Sequence, residues 1–219
     1  MCVFHAMSYR VSLESFIDVV ATVISAVRFR YGFSPINEFC RNRSRYRMSK
    51  KIRLNAFNMN CVGHIHHGLW KHPRDNSVDY TKPEYWMELA KLLERGLFDG
   101  IFLADIVGVY DVLGDGIEAT AREAVQLPVN DPLYVVPIMA QATKHLGFGV
   151  TCNLTYEQPY LFARRLATLD HLSNGRIGWN IVTGYLDSAA RAMGLTQQID
   201  HDDRYERGDD FMEVFYKLL

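Results

Sequence analysis

From about residue 52 onward, short apolar runs alternate with longer segments in which apolar residues recur at helical spacing. Short continuous apolar runs are typical of strands that are covered on both faces. The runs predict four strands, at residues 52–57, 100–104, 147–152 and 177–182. A polar, histidine-rich loop at residues 58–80 follows the first strand.

The segments between the strands predict four helices, which begin near residues 83, 131, 159 and 204. Before the first helix, residues 81–84 read Thr-Lys-Pro-Glu, the pattern of a capping box with proline in the first turn. Its apolar face consists of Trp86, Leu89, Ala90, Leu93 and Leu97. Gly96 is expected to end this helix, and Asn174 with Gly175 to end the third.

Strands that alternate with helices imply a parallel sheet with right-handed crossovers, and two α/β architectures contain such a sheet. One is the (β/α)8 barrel and the other is the doubly wound open sheet. The Rossmann fingerprint G-x-G-x-x-G is absent after the first strand, where residues 60–64 read Asn-Cys-Val-Gly-His. Four βα units are about half of a barrel that typically takes about 250 residues. We therefore predict a TIM barrel truncated to about its first four to five βα units.

The N-terminal segment, residues 1–47, differs in composition from the rest of the chain. Residues 1–53 contain ten Lys/Arg and three Asp/Glu, whereas the whole chain has a formal net charge of -1. The basic run between residues 41 and 53 is either a targeting arm, an anionic-surface patch or a solvated tail, and we favour the tail. We interpret residues 1–47 as an unrelated extension, disordered or helical, and residues 48–219 as the partial barrel.

Charge, hydropathy and cysteine spacing argue against several classes of protein. The balanced net charge gives no indication of a nucleic acid partner. The longest apolar run, residues 16–27, is interrupted by Asp18 and is shorter than the roughly 20 residues that a membrane span needs. Arg28 follows that run, whereas a signal peptide has its basic residues first. The four cysteines are scattered without CxxC spacing, so a reducing compartment and a cytoplasmic location are expected.

Polar side chains follow each predicted strand, and in both architectures ligands bind beyond the carboxyl ends of the strands. The residues at these positions are Asn58, Asn60, Cys61, His64, Asp105, Tyr110, Thr151, Asn153, Thr183 and Tyr185. Most of them are hydrogen-bonding groups rather than strong acid–base pairs. Such a site is suited to a ligand that brings its own reactivity.

The loop after the first strand allows two further interpretations. His64, His66, His67 and His72 could bind a metal ion, but they stand in one loop without paired cysteines, so no metal site is predicted. Cys61 and His64 could act as nucleophile and base. A buried thiol beside a loop histidine is the simpler interpretation.

Asp105 and His201 are also open to two interpretations. Asp105 either caps the following loop or is a functional group at the end of a strand. His201 is followed by two aspartates, which suit the N-terminus of a helix. The same helix start, with the hydroxyl of Tyr205 one turn later, could bind an anion such as phosphate if the acids face solvent.

Seven longer motifs follow one another through residues 48–219. They are NAFNMNCVGH (55–64), FLAD (102–105), REAVQ (122–126), PVNDP (128–132), RRLATLDH (164–171), GRIGWN (175–180) and YLDSAA (185–190). These motifs resemble the flavin-dependent monooxygenases of the bacterial-luciferase-like superfamily. More narrowly, they resemble the branch that contains the nitrilotriacetate, dibenzothiophene-sulfone and long-chain alkane monooxygenases. Residues 1–47 have no counterpart in this resemblance.

The resemblance implies a TIM barrel that binds reduced FMN from a separate flavin reductase and uses O2 to oxygenate a small organic substrate. By motif position, the family's flavin contacts fall on Asp105, Thr151, His201 and Tyr205. The catalytic or substrate-side residues fall on Cys61, His64, Tyr110 and Gln126. Tyr185 stands where the alkane enzyme has a histidine, which weakens an alkane assignment.

Family members are much longer than the matched region, so the resemblance also implies that later strands, further phosphate ligands and a catalytic histidine are missing. An open half-barrel would expose sheet edges and an apolar inner face, so a homo-oligomer is expected if the chain folds. The chain is then either an active monooxygenase or one that truncation has inactivated. The alternative is a non-catalytic barrel fragment that acts only as a binding or dimerising module.

Overall fold

Four strands form one parallel sheet in the computed structural model, which describes residues 52–64 and 68–219. They are β1 (Asn55–Met59), β2 (Gly100–Ala104), β3 (Gly147–Asn153) and β4 (Ile177–Val182), hydrogen-bonded in chain order. The α-helices of the described residues are α1 (Pro83–Arg95), α2 (Glu118–Glu123), α3 (Val136–Gln141), α4 (Pro159–Ser173), α5 (Asp187–Ala192) and α6 (His201–Leu218). A parallel sheet with helices between successive strands agrees with the predicted α/β class.

The two faces of the sheet differ in composition because successive side chains of a strand point to opposite sides. One face packs against the helices with buried apolar side chains, which include Ile101, Leu103, Phe148, Val150, Ile177 and Trp179. The other, here called the inner face, contains Phe57, Phe102, Gly149, Thr151, Gly178 and Asn180. Strand register aligns Phe57, Phe102, Gly149 and Gly178 in one row across all four strands.

An aromatic cluster fixes α6 to the helix-facing side of the sheet. The ring centroid of Phe162 on α4 lies 4.5 Å from that of Trp179 on β4. Phe215 on α6 lies 5.1 Å from the same indole. The indole N–H donates a 3.0 Å hydrogen bond to the carbonyl of Cys152, so its one donor is satisfied within the core. The aromatic cluster therefore buries a large apolar area, and the indole N–H of Trp179 keeps its hydrogen bond.

Arg176, just before β4, connects the end of α3 to the end of α4. Its guanidinium donates to the carbonyls of Ala140, Thr143, Leu146 and Ser173 at distances between 2.7 and 3.2 Å. Partial burial lowers the pKa of Arg176, but a guanidinium stays charged in proteins. A cation is favourable at helix C-termini, where carbonyl groups lack partners within the helix.

Glu94, near the end of α1, accepts hydrogen bonds from the backbone, whereas Arg176 donates them. Its carboxylate accepts hydrogen bonds from the backbone N–H groups of Lys144, His145 and Leu146, which precede β3. Burial opposes ionisation of this carboxyl, but the three N–H groups hold its pKa below the ordinary value. Glu94 thereby ties α1 to the start of β3.

The predicted capping box of α1 is wrong, whereas proline does stand in the first turn and Gly96 ends the helix as predicted. Lys82 is the N-cap residue, and no side chain caps the first turn. At the other end Gly96 has a φ of -76°, whereas Leu97 takes the left-handed conformation with a φ of 60°. The N–H of Phe98 bonds to the carbonyl of Leu93 at 3.1 Å, the pattern of a Schellman motif. Leu97 is consequently 84% exposed and does not belong to the apolar face of α1.

Other boundaries also differ from the sequence prediction. The helix expected from residue 131 to 144 is divided into a 3₁₀ turn, Pro132–Tyr134, and α3. Pro137 in the first turn of α3 lacks an N–H, so one continuous helix would lose a hydrogen bond there. Helices α2 and α5 were not predicted, since each has six residues and no long apolar stripe. The strands β2, β3 and β4 agree with prediction, whereas β1 begins at Asn55 rather than at residue 52.

Residues 1–51 lie outside the described residues, so the expectations for the 1–47 extension, its apolar run and its basic run stay predictions. Within residues 52–64 and 68–219, no helix has the length and apolarity required to cross a membrane. Two of the four cysteines lie in these ranges, and both Cys61 and Cys152 are buried thiols outside any disulfide.

We expect Arg176→Ala to lower the free energy of unfolding by about 3 kcal/mol, because several hydrogen bonds from a charged group to carbonyls are lost together. Arg164→Ala is the matched control, since Arg164 is exposed on α4 and its loss should cost less than about 0.5 kcal/mol. Urea unfolding followed by tryptophan fluorescence measures both variants. Equal losses would contradict the role assigned to Arg176.

Candidate functional site

Hydrogen bonds join β3 and β4 at the carboxyl edge of the sheet. Thr151 is buried on the inner face, and its hydroxyl accepts a 3.0 Å hydrogen bond from the side-chain amide of Asn180. Just beyond β3, the N–H of Thr155 donates to the side-chain oxygen of Asn153 at 2.9 Å. The hydroxyl of Thr155 donates to the carbonyl of Thr183 at 2.8 Å. The ends of these two strands are therefore held in fixed relative positions.

A cavity of about 340 Å³ opens beside these strand ends. Its polar lining consists of Asp105, Asn130, Asp131, Asn153, Tyr156 and Glu157. Asp105 follows β2 directly, and Asp131 caps the 3₁₀ turn at Pro132–Tyr134 by accepting a hydrogen bond from the N–H of Leu133. Three of the six polar side chains are carboxylic acids, so the negative charges affect one another.

Asp105 resists ionisation in this environment. The pKa of Asp105 is raised to about 6, chiefly by burial; the hydrogen bond from the N–H of Ile106 opposes this rise, and the nearby charge of Asp131 adds to it. A carboxyl group with this pKa changes charge close to neutral pH, which is uncommon for an aspartate. Perturbed groups of this kind concentrate at functional sites, so Asp105 is the strongest acid–base candidate that the geometry supports.

The loop after β1 is fixed by contacts to the segment between α2 and α3. The side-chain amide of Asn60 donates to the carbonyl of Asp131 at 3.0 Å. The thiol of Cys61 is buried and donates to the carbonyl of Gly63 at 3.2 Å. Burial raises the pKa of the Cys61 thiol, the Gly63 carbonyl contact lowers it and the charge of Asp105 raises it again. The net effect keeps Cys61 protonated, which favours the buried-thiol interpretation over a covalent role.

His64 and Gln126 meet through the same loop. The side-chain amide of Gln126 donates to the carbonyl of His64 at 2.7 Å. The imidazole of His64 packs edge-on against Phe57, with ring centroids 4.8 Å apart. Gln126 and Ala124 both have positive φ angles, 54° and 51°, which cost free energy for residues other than glycine. The fold therefore tolerates a strained segment that places the buried Gln126 amide against the His64 backbone.

Tyr110 pairs with Tyr185, and their hydroxyl oxygens lie 2.8 Å apart. The segment that contains Tyr110 is fastened to α5, because the hydroxyl of Ser188 bonds to both the N–H and the carbonyl of Val109. Gly108 has a φ of 100°, and a Cβ there would lie 2.7 Å from the backbone nitrogen of Ala189. Only glycine allows this close approach, so the loop after β2 is held against the segment that follows β4.

His201 and Tyr205 lie together in the first turns of α6, with ring centroids 4.8 Å apart. Asp202 is hydrogen-bonded to the Nδ1 atom of His201 at 2.8 Å, and its side chain is 95% exposed, so this acid faces solvent. A Cβ at Gly208 would lie 3.9 Å from the methyl group of Thr183. Helix α6 therefore approaches the carboxyl end of β4 at Gly208, one turn after Tyr205.

The structure places the sequence-predicted residues in four groups. These are Cys61 with His64 and Gln126; Tyr110 with Tyr185; Asp105 and Thr151 at the ends of β2 and β3; and His201 with Tyr205. Sequence reasoning missed Asn180, Ser188 and Glu157. Asn180 could have been found, because strand alternation places it on the face of Thr151, whereas no local pattern indicates Ser188 or Glu157.

The histidine-rich loop is only partly described. His66 and His67 lie outside the described residues, and the His72 ring accepts a 3.2 Å hydrogen bond from the N–H of Arg74. Among residues 52–64 and 68–219, no group of three or more His, Cys, Asp or Glu side chains could hold a metal ion.

A match between the chain and a protein-family model identifies its family. The model of luciferase-like monooxygenases matches residues 64–219, which is most of the chain. The chain belongs to the luciferase-like monooxygenase family. The predicted resemblance is thereby confirmed, and so is the barrel-type fold class, to which the luciferase-like relatives below also belong.

Two curated relatives and two solved structures support this membership. Long-chain alkane monooxygenase from Geobacillus thermodenitrificans is 56% identical over 171 residues, 78% of this chain and 39% of the relative. A crystal structure of long-chain alkane monooxygenase aligns with a TM-score of 0.75 and the same coverage. Dimethyl-sulfide monooxygenase from Hyphomicrobium sulfonivorans is 54% identical over 78% of this chain and 36% of its own.

The second structure is a riboflavin lyase with modified FMN and riboflavin, which is 39% identical with a TM-score of 0.72. It is matched over 77% of this chain and 38% of its own. The chain thus spans less than two fifths of the length of these luciferase-like relatives.

We expect Asp105→Asn to raise the free energy of unfolding at pH 7 by about 1–3 kcal/mol. The folded-state pKa of about 6 lies above the ordinary 3.8, so ionised Asp105 destabilises the fold as pH rises from about 4 to 6. The gain should therefore vanish below pH 4. Urea unfolding between pH 4 and 7.5 measures it, with the exposed Asp209→Asn on α6 as control. A gain that is independent of pH would refute the assigned cause.

Proposed function

We propose that this chain forms part of a flavin-dependent monooxygenase site that takes reduced FMN from a separate reductase and uses O2 to oxygenate a small organic substrate. The observation that supports this most strongly is that Asp105 and Thr151 lie at the carboxyl ends of β2 and β3, while Gly208 of α6 approaches Thr183 just beyond β4. Ligands of parallel α/β folds bind at that edge. Family membership makes a flavin the first candidate for that ligand.

The residues present fit a flavin nucleotide in two respects. His201 and Tyr205 combine an imidazole, a hydroxyl and the first turns of an 18-residue helix, which is a favourable donor set for a phosphate. The Asp202 carboxylate is exposed and bonds to Nδ1 of His201, so the side-chain donors left for a phosphate are Nε2 of that ring and the Tyr205 hydroxyl. Thr151 and Asp105 would then contact the ring system at the sheet edge. When bound, the reduced flavin supplies the electrons that activate O2.

The chain's own groups then have distinct roles. Asp105, with a pKa of about 6, can bind or release a proton at its carboxyl oxygen near neutral pH. Cys61 remains a protonated thiol, and Gln126 fixes the loop of His64 through its backbone carbonyl. Tyr110, oriented by the hydroxyl of Tyr185, would contact the substrate side. These residues bind, orient and exclude water rather than form covalent bonds.

The substrate is proposed only as a class. The two curated relatives described above act on a long-chain alkane and on dimethyl sulfide, yet their identities to this chain differ by only two percentage points, 56% and 54%. Sequence identity therefore does not choose between them. The apolar rings of Phe57 and Phe102 on the inner face favour a small molecule with little charge.

Tyr205→Phe should weaken FMN binding about tenfold, because one hydrogen bond to a charged phosphate is lost. Riboflavin, which lacks the phosphate, should bind equally to the variant and to the unmodified chain. Quenching of flavin fluorescence measures both affinities. Tyr216→Phe is the matched control, since Tyr216 is an exposed tyrosine of the same helix and should change neither affinity.

Two outcomes would count against this proposal. An equal loss of FMN and riboflavin affinity in Tyr205→Phe would remove the phosphate role from the start of α6. A folded chain that leaves flavin fluorescence unchanged would favour the non-catalytic binding or dimerising module. Where flavin binds, NADH-driven turnover with an added reductase and O2 tests the monooxygenase activity itself.

A further inference from the structure

The segment that follows β4, residues 184–198, lies along one side of the cavity beside Asp105. Met193, directly after α5, lines the cavity itself. Three other residues of the cavity wall touch this segment, in the pairs Gly108 with Ala189, Asn153 with Gly184 and Tyr156 with Gln198. The wall of the cavity and the segment that contains α5 are therefore in direct contact.

The two ends of this segment are tied to each other at Gln198. The backbone N–H of Gln198 donates to the carboxylate of Asp187 at 2.9 Å, and its side-chain amide donates to the carbonyl of Leu186 at 3.2 Å. Residues 186–198 are thus a compact loop with joined ends, the form of an Ω-loop. Such a loop can leave the body of the protein without breaking the hydrogen bonds that close it.

Polar contacts hold this loop to the segment that follows β2. The hydroxyl of Ser188 donates to the carbonyl of Val109 at 2.6 Å and accepts from its N–H at 2.9 Å. Arg191 forms an ion pair with Asp111, and the two side chains are 50% and 30% exposed. Water can replace contacts of both kinds, so each adds only a modest free energy to the position that the loop occupies.

Apolar burial adds little to these contacts, because α5 reads DSAARA. Its apolar side chains are all methyl groups, and those of Ala189 and Ala190 are buried. Hydrophobic stabilisation grows with the apolar area removed from water, so methyl groups supply little of it. A segment held in this way opens at a lower free energy than a core that contains Phe148 and Trp179.

We propose that residues 186–198 form a lid on the cavity beside Asp105, and that this lid opens as one unit while the sheet stays folded. Opening breaks the contacts of Ser188 to Val109 and of Arg191 to Asp111, and it removes Met193 from the cavity wall. Lids of this kind control the entry of small molecules and of water. The inference rests on these contacts alone, so it does not depend on flavin binding or on oxygenation.

Cys152 lines the same cavity and provides a probe of opening. Burial, together with the nearby charge of Glu157, raises the pKa of its thiol to about 12. Thiol reagents attack the thiolate, so the closed cavity suppresses their reaction with Cys152. Cys61 is also a buried thiol but does not line this cavity, so its reaction reports on openings elsewhere in the described part of the chain.

The test is the rate at which methyl methanethiosulfonate, a small neutral reagent, labels two versions of the full chain, followed by mass spectrometry. One version keeps Cys152 alone, through Cys2→Ser, Cys40→Ser and Cys61→Ala, and the other keeps Cys61 alone. Ser188→Ala should label Cys152 about tenfold faster, since two hydrogen bonds to Val109 are lost, and should leave the rate at Cys61 unchanged. Thr196→Ala, at an exposed position of the same loop, should change neither rate.

A charge exchange tests the second contact of the lid. Arg191→Asp should label Cys152 faster, because two like charges then face each other at the ion pair with Asp111. Adding Asp111→Arg to that variant should restore the slower rate, since the pair is rebuilt with its charges exchanged.

Two results would overturn the proposal. Equal acceleration at Cys152 and Cys61 in Ser188→Ala would show that the whole fold is loosened rather than the lid. A rate at Cys152 that Ser188→Ala leaves unchanged, whether fast or slow, would show that the reagent reaches the cavity without movement of residues 186–198.

Discussion

Parallel hydrogen bonding between strands that follow one another in chain order is the constraint on which both the core and the candidate site depend. It places the carboxyl ends of all four strands at one edge and gives each strand one helix-facing side and one inner side. Phe148 and Trp179 are therefore buried against helices, while Thr151 and Asn180 share the inner face. A register shift of one residue would exchange these faces and bury the wrong side chains.

Several side chains of the candidate site bond to backbone atoms rather than to one another. Cys61 donates to the carbonyl of Gly63, and Gln126 donates to the carbonyl of His64. Such bonds fix the loop after β1 and use the donor of the side chain concerned. Cys61 and Gln126 are thus positioning groups, whereas burial leaves Asp105 able to change its charge near neutral pH. Cys61 and Gln126 thus fix the shape of the loop, whereas Asp105 is the residue that can exchange a proton.

Sequence patterns predicted the strands and the positions at their ends, because both depend on local alternation and on one rule of parallel sheets. They predicted the end of α1 at Gly96, but not the left-handed conformation of Leu97 one residue later. They also could not show partners that are distant along the chain. Tyr110 and Tyr185 are separated by 75 residues, and no local pattern relates one hydroxyl to the other. Motif resemblance supplied site residues that periodicity alone could not select, and their roles stay proposals.

The inner face has a polar part at the carboxyl edge and an apolar row behind it. Thr151 and Asn180 are paired in register two residues closer to the carboxyl edge than Gly149 and Gly178. Burying polar groups without partners would cost free energy, but the Asn180 amide already donates to the Thr151 hydroxyl within one chain. This polar pair is therefore hydrogen-bonded within one chain, and the stacked rings of Phe57 and Phe102 lie behind it on the same face.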